Sequence, residues 1–138
     1  MNNLNELYNI AKQNEISVYC FSLPKTVSIS VQDKQGAYSI GIDPMMLSSE
    51  TQEREHLAHE LGHCMTGALY SRRSPFELVA KHEWRANAWC IEKLVPRDML
   101  ESKVRQGYRE LWELAEQFDV SEGLIKKAVQ YYRQKHGE

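Results

Sequence analysis

Two histidines and a glutamate lie close together in the middle of the chain, in the pattern His59-Glu60-Leu61-Gly62-His63. On an α-helix, residues four positions apart lie on one face, so both imidazoles can reach the same metal ion. Zinc hydrolases use imidazole nitrogens and a carboxylate as ligands and keep one position for water, whose proton a nearby carboxylate can accept. The motif therefore predicts a zinc site with His59 and His63 as ligands and Glu60 as the general base.

A third ligand is expected from a second predicted helix. There, Glu83 and Asn87 are the strongly polar members of a stripe otherwise formed by the small or apolar residues Val79, Ala86 and Cys90. Burying a carboxylate on such a stripe is costly unless a charge or a metal compensates it. This favours Glu83 as the third zinc ligand.

Four other side chains have the right chemistry for a ligand: Asp43, Cys64, His82 and Cys90. Cys64 directly follows His63, so it points about 100° away from it around the helix. His82 is next to Glu83 and is expected to point off the stripe. His82, Asp43 and a site without a third protein ligand remain as alternatives to Glu83.

The segments before the motif predict a small sheet. β-forming residues cluster at 16–21, 27–31 and 38–42, the last two with alternating apolar side chains. Residues 33–36 suit a hairpin, because Gly36 can take the positive φ that such loops need. We expect an antiparallel three-stranded sheet whose segment 38–42 is the edge along which an extended peptide pairs.

Helical patterns account for most of the remaining chain. Caps and apolar periodicity predict helices at residues 3–13, 50–69 and 74–94. Gly62, inside the helix that carries the motif, costs about 1 kcal/mol relative to alanine. Its presence predicts that another backbone or side chain comes close to the helix at that point.

Composition favours one compact cytoplasmic domain. The chain has 138 residues, of which 42% are hydrophobic, and a net charge of −2, which gives no support to general polyanion binding. It has no run near the roughly 18 apolar residues of a membrane span, and its N-terminus has no basic or apolar targeting segment. The three cysteines lack the spacing of a disulfide framework.

The last part of the chain, residues 97–138, is helical in pattern. Within it, residues 114–129 read as a helix, a tight turn, a serine cap and a second helix, which is the rhythm of a helix-turn-helix. Residues 108–138 carry five basic and six acidic side chains, a net charge of −1. Because DNA binding depends on phosphate neutralisation, we expect a structural or protein-docking role. DNA binding stays open as an alternative because of four basic residues near the end of the chain: Lys126, Lys127, Arg133 and Lys135.

Three segments in combination, at 59–63, 83–90 and 94–96, resemble the ImmA/IrrE family of metallopeptidases, in particular the short versions carried by phages and mobile elements. The resemblance covers about residues 15–100. It implies a zincin-like fold. It also implies a role in cleaving or inactivating a partner transcriptional repressor, so that a prophage or mobile element is derepressed.

For individual positions, the resemblance implies that His59, His63 and Glu83 hold one zinc ion and that Glu60 is the general base. Asn87 stands where many related zincins have a polar residue that orients a ligand histidine. Cys90 occupies a position where a small residue such as alanine is common, and this departure affects no catalytic role.

Other residues are candidates for supporting roles. His56 lies three positions before His59 and is expected on the side of the helix that faces the metal. It either supports a metal ligand by contact or is simply a half-exposed histidine. The developing oxyanion needs a hydrogen-bond donor besides the metal. The candidates are Tyr38, Tyr70 and His82.

The sequence thus predicts an α+β, zincin-like fold in one domain, with a core over residues 1–96 and a helical tail over 97–138. The predicted function is that of a zinc-dependent endopeptidase acting on a helix-turn-helix repressor. The alternative is a regulatory protein that binds a repressor or DNA through its tail without hydrolysis. An intact Glu60 favours hydrolysis, because a pure binder has no chemical need for it.

Overall fold

The structure is a computed structural model that describes residues 3–69 and 74–136. Its elements are, in chain order, α1 (Leu4–Gln13), β1 (Ser17–Cys20), β2 (Ser28–Gln32), β3 (Tyr38–Ile42), a 3-10 turn (Pro44–Met46), α2 (Glu50–Thr66), α3 (Phe76–Leu94), α4 (Arg97–Arg105), α5 (Leu111–Phe118) and α6 (Glu122–His136). The predicted α+β class is confirmed. None of the described helices is long and apolar enough to cross a membrane.

The chain divides into two compact units, at Cys90 and Ile91 within α3. The first unit contains the sheet, α1, α2 and most of α3, and the second contains the end of α3 and the three helices that follow. The predicted organisation, a single domain whose tail begins at residue 97, stays a prediction.

The sheet has the strand order β1-β3-β2. β2 and β3 are antiparallel and joined by the predicted hairpin, in which Gly36 has a φ of 90°. β1, however, lies parallel to β3, so the prediction of a fully antiparallel sheet is wrong. The connection between β1 and β2, residues 21–27, is too long for a tight hairpin. β3 lies between these two strands in the sheet.

This strand order changes which segment is an edge of the sheet. β3 is hydrogen-bonded on both sides, so the predicted peptide-pairing edge at Tyr38–Ile42 is wrong. The edges are β1 and β2. A peptide that adds to this sheet therefore has to pair with one of these two strands.

β2 turns its serine side inward. Ser28 is buried, whereas Ile29 and Val31 are 41% and 48% exposed. Successive side chains of a strand point to opposite faces, and the inner face of β2 packs against α2. The polar face of the strand is therefore the one that meets the helix carrying the motif.

α2 is held closely against α3. It begins after Ser49, whose hydroxyl accepts a hydrogen bond from the Gln52 backbone nitrogen, and it ends at Gly67, which has a φ of 67°. A Cβ atom on Gly62 would lie 2.5 Å from the carbonyl oxygen of Ala86 in α3. The close approach predicted at Gly62 is confirmed, and the neighbour is the backbone of the second helix.

The unit over residues 91–138 contains the predicted helix, turn and helix. Phe118 at the end of α5 and Ile125 in α6 are fully buried. Asp119 forms the turn with a left-handed φ of 52°, and the hydroxyl of Ser121 accepts a hydrogen bond from the Leu124 backbone nitrogen. These local features explain why the two helices are separated by so short a turn.

Candidate metal and catalytic centre

The three predicted zinc ligands lie together. His59 and His63 project from one face of α2, and Glu83 faces them from α3. His59 Nε2 is 3.0 Å from Glu83 Oε2, and His63 Nε2 is 3.1 Å from Glu83 Oε1. The possible ligand atoms of the three residues are all within 4.8 Å of one another.

A backbone hydrogen bond fixes the orientation of His63. Its Nδ1–H donates to the carbonyl oxygen of Ala68, which the left-handed Gly67 brings back towards the helix end. Because a carbonyl oxygen only accepts hydrogen bonds, the ring proton of neutral His63 is on Nδ1. Nε2 then carries the lone pair and is directed towards Glu83, an arrangement typical of metal-binding histidines.

The donor set fits a zinc ion. A nitrogen lone pair and a carboxylate oxygen repel each other at this separation unless a cation or a proton lies between them. Zinc binds histidine nitrogen and carboxylate oxygen at about 2.0–2.2 Å, so two of its tetrahedral ligands lie about 3.3 Å apart. The His59–Glu83 and His63–Glu83 distances of 3.0 and 3.1 Å are close to that value.

The alternative ligands are placed elsewhere. The carboxylate of Asp43 accepts hydrogen bonds from the backbone nitrogens of Leu23 and Met45, at 2.9 and 3.1 Å. Cys64 and Cys90 are buried, and neither belongs to the group of possible ligand atoms that His59, His63 and Glu83 form within the described residues. His82 is not among the residues that line the cavity at the site.

The three ligands line a cavity of about 640 Å³. Residues 28–31 of β2 form one of its walls, and His56 and Glu60 of α2 also line it. The cavity therefore joins the metal donors, the predicted base and an edge strand of the sheet.

Glu60 is buried beside the ligands and is held by a residue that sequence reasoning missed. Its Oε2 accepts a hydrogen bond of 2.7 Å from the hydroxyl of Ser28, and that hydroxyl oxygen is 3.3 Å from His56 Nδ1. The available signals were weak. His56 and Glu60 are four positions apart, and Ser28 is one of the polar residues that alternate with the apolar ones in this strand, but neither pattern shows which strand faces the helix.

The remaining candidates receive less support. Asn87 is half-buried and makes no hydrogen bond to His59 or His63 within the described residues. Tyr38 does not line the cavity, and its hydroxyl lies near Gly67. Tyr70 lies outside the described residues. A ligand-orienting role for Asn87 and the identity of the oxyanion donor stay predictions.

One helix supplies two histidines and a second helix supplies a glutamate, which is a set of protein ligands known from zinc metallopeptidases. The family model of the IrrE N-terminal-like domain, Peptidase_M78, matches residues 11–130. The chain belongs to this family, and the resemblance to ImmA/IrrE proteins is confirmed. Neither the curated proteins nor the solved structures include a match to the chain.

Proposed function

We propose that the protein is a zinc-dependent endopeptidase. The observation that carries the proposal is the cluster of His59, His63 and Glu83, with ligand atoms within 4.8 Å, beside the buried Glu60. When bound, zinc would supply a Lewis acid that polarises the scissile carbonyl and makes the attacking water more acidic. In this proposal Glu60 accepts the proton of that water and delivers it to the leaving amine.

The edge strand β2 supports binding of an extended peptide. It lines the cavity and has no strand on its outer side within the described residues. An extended peptide can add to such an edge through main-chain hydrogen bonds, and pockets beside it select side chains. The exposed Ile29 and Val31 favour apolar substrate residues near the scissile bond.

The proposed substrate is a helix-turn-helix transcriptional repressor of a phage or mobile element, cleaved in the cytoplasm. Support comes from membership of the IrrE N-terminal-like family and from the resemblance of segments 59–63 and 83–90 to ImmA/IrrE proteins. Cleavage of such a repressor would release the genes that it silences.

A second candidate is a regulatory protein that binds DNA or a repressor through its helical tail without hydrolysis. The observation that favours it is the helix pair α5 and α6 with its short turn. The charge opposes DNA binding, because residues 108–138 have a net charge of −1 and Lys135 is 3.3 Å from Glu92. A gel-shift titration with salt tests this candidate, and tight, salt-sensitive binding would support it.

The decisive experiment uses candidate repressors encoded next to the gene. The zinc-loaded full chain is incubated with each purified repressor, and fragments are identified by mass spectrometry. We expect one repressor to be cut at a defined bond, with cleavage abolished by EDTA and restored by added zinc. A repressor that binds the chain and stays intact would overturn the proposal in favour of the non-hydrolytic candidate.

A further inference from the structure

A second cluster of polar side chains lies next to the metal donors. Glu60 Oε2 accepts a hydrogen bond of 2.7 Å from Ser28, whose hydroxyl oxygen is 3.3 Å from His56 Nδ1. Ser28 and Glu60 are each only 7% exposed. Within residues 3–69 and 74–136, Ser28 is the one hydrogen-bond partner of the Glu60 carboxylate.

Helix geometry explains how one serine reaches both side chains. His56 and Glu60 are four positions apart on α2, so they lie on the same face, one turn from each other. β2 packs on that face with Ser28 turned inward. The spacing of the helix and the alternation of the strand together place the hydroxyl between the imidazole and the carboxylate.

The chemistry of the three groups sets the direction of their hydrogen bonds. An ionised carboxylate only accepts, so the single hydroxyl proton of Ser28 is donated to Glu60. The serine oxygen can still accept, and the ring atom facing it is Nδ1 of His56. For the contact between His56 and Ser28 to be a hydrogen bond, His56 must carry a proton on Nδ1; His56 then donates to Ser28, and Ser28 donates to Glu60.

We propose that Ser28 is a positioning residue for the general base Glu60, and that His56 in turn orients Ser28. This inference rests on the proposed endopeptidase function. Anchoring Oε2 fixes the carboxylate and leaves Oε1 to face the reacting water. Such placement matters because a displacement of about 1 Å in a reacting group can reduce the rate about 100-fold.

The kinetic test compares Ser28→Ala with Ser39→Ala. Ser39 is a matched control, since it lies in the adjacent strand β3 but pairs with Val31 on the opposite face of the sheet. The probe is a quenched fluorescent peptide that spans the bond cut in the repressor. We expect Ser28→Ala to lower kcat about tenfold, with KM within about twofold and one zinc ion retained per chain. Ser39→Ala should leave all three unchanged.

A double substitution tests whether His56 acts through Ser28. If His56 acts through Ser28, His56→Ala should lower kcat about threefold in the wild-type background and have no further effect in the Ser28→Ala background. Full additivity would overturn the role of His56. An unchanged kcat in Ser28→Ala, or a loss of kcat explained by loss of zinc, would overturn the role of Ser28.

A spectroscopic test is independent of cleavage. In the zinc-loaded full chain with ¹⁵N-labelled histidine, the His56 signals are assigned from their absence in His56→Gln. We expect the Nδ1–H form in the wild type and in Ser39→Ala, and its loss in Ser28→Ala. A wild-type His56 with its proton on Nε2 alone would overturn the proposed hydrogen bond from His56 to Ser28. Failure to cut any repressor would instead count against the proposed function, and the tautomer would still decide the hydrogen bonding of Ser28.

Discussion

The two compact units of the chain bury different kinds of side chains. Among the described residues, the buried polar or charged side chains all lie in residues 2–90: Ser28, Asp43, Arg54, Glu60 and His63. The described part of residues 91–138 buries apolar side chains and two tyrosines. Because buried polar groups are costly, they are expected where they have a function. The candidate metal ligands and Glu60 all lie in the first unit.

The two units also differ in the partners of their polar groups. In the second unit, the hydroxyl of Tyr131 donates to Glu92 at 2.9 Å and that of Tyr132 donates to the Val95 carbonyl oxygen at 2.7 Å. In the first unit, by contrast, two imidazole nitrogens face one carboxylate at about 3 Å. The two buried tyrosine hydroxyls of the second unit each have a hydrogen-bond acceptor, whereas the first unit brings together nitrogen and oxygen atoms that a cation or a proton between them would stabilise.

Glu83→Ala is expected to have the largest effect on metal binding. Removing one of three protein ligands should raise the zinc Kd more than about 100-fold, since loss of a mere supporting residue costs 10–100-fold. The fold should persist, because the Glu83 side chain is 33% exposed. Competition with a chromophoric chelator measures the affinity. Glu77→Ala, at an exposed position of the same helix, is the control. Equal zinc affinity in both variants would contradict the assignment of Glu83.

Gly62→Ala tests the contact that positions Glu83. The new Cβ would lie 2.5 Å from the carbonyl oxygen of Ala86, and overpacking should outweigh the helix propensity gained, for a net loss of about 2 kcal/mol. Zinc affinity should fall too, because α3 is displaced from the histidines. Chemical denaturation and zinc titration measure the two effects.

Gly123→Ala is the matched control in the second unit. A Cβ atom there comes no closer than 3.8 Å to its nearest neighbour, the Ser121 hydroxyl. The substitution should therefore stabilise the protein by about 0.5–1 kcal/mol and leave zinc binding unchanged. A gain of stability at both glycines would show that Gly62 is not needed for close helix packing.

A small effect, on stability alone, is expected for Tyr132→Phe. Loss of the hydrogen bond to Val95 should reduce stability by about 1 kcal/mol at pH 7, without affecting zinc binding or cleavage. A loss of zinc affinity in this variant would show that zinc binding depends on hydrogen bonding in the second unit, and would contradict the comparison.

The same variant has a distinct pH dependence. Burial raises the pKa of Tyr132 above its usual value, so the folded state holds the phenol proton more tightly than the unfolded state. The resulting stability is complete below about pH 10 and is lost as the pH rises towards the folded-state pKa, by at most about 1.4 kcal/mol per pH unit for one proton. Tyr132→Phe should flatten this alkaline loss in denaturation curves between pH 9 and 11. An unchanged slope would contradict the burial of the phenol.

Local spacing explains what could be predicted from the sequence. His59 and His63 had to share a face, because four positions make about one helical turn. Glu83 followed from its position on a small-residue stripe, and Gly62 from its cost inside a helix. Strand order could not be predicted in the same way. The placement of β3 between β1 and β2 depends on pairing between distant segments, and the peptide-binding edge was assigned to the wrong strand for that reason.

The burial of Ser28 could not be predicted from the sequence either. In an alternating strand the apolar side chains are normally the buried ones, but here Ile29 and Val31 are exposed and Ser28 is buried. The inversion arises because α2 presents His56 and Glu60 to this strand, which makes a hydroxyl the favourable neighbour. No pattern within the strand contains that information.

The central claim is that Glu60 acts as the base of a zinc peptidase, and Glu60→Gln tests it most directly. Glutamine keeps the size of the side chain and an oxygen that can accept the Ser28 hydrogen bond, but it cannot take a proton from water. Zinc content by elemental analysis and repressor cleavage by mass spectrometry are measured on both proteins. We expect one zinc ion per chain in each, and a cleavage rate about 1000-fold lower in the variant. A zinc-loaded Glu60→Gln protein that cleaves the repressor as fast as the wild type would contradict the claim.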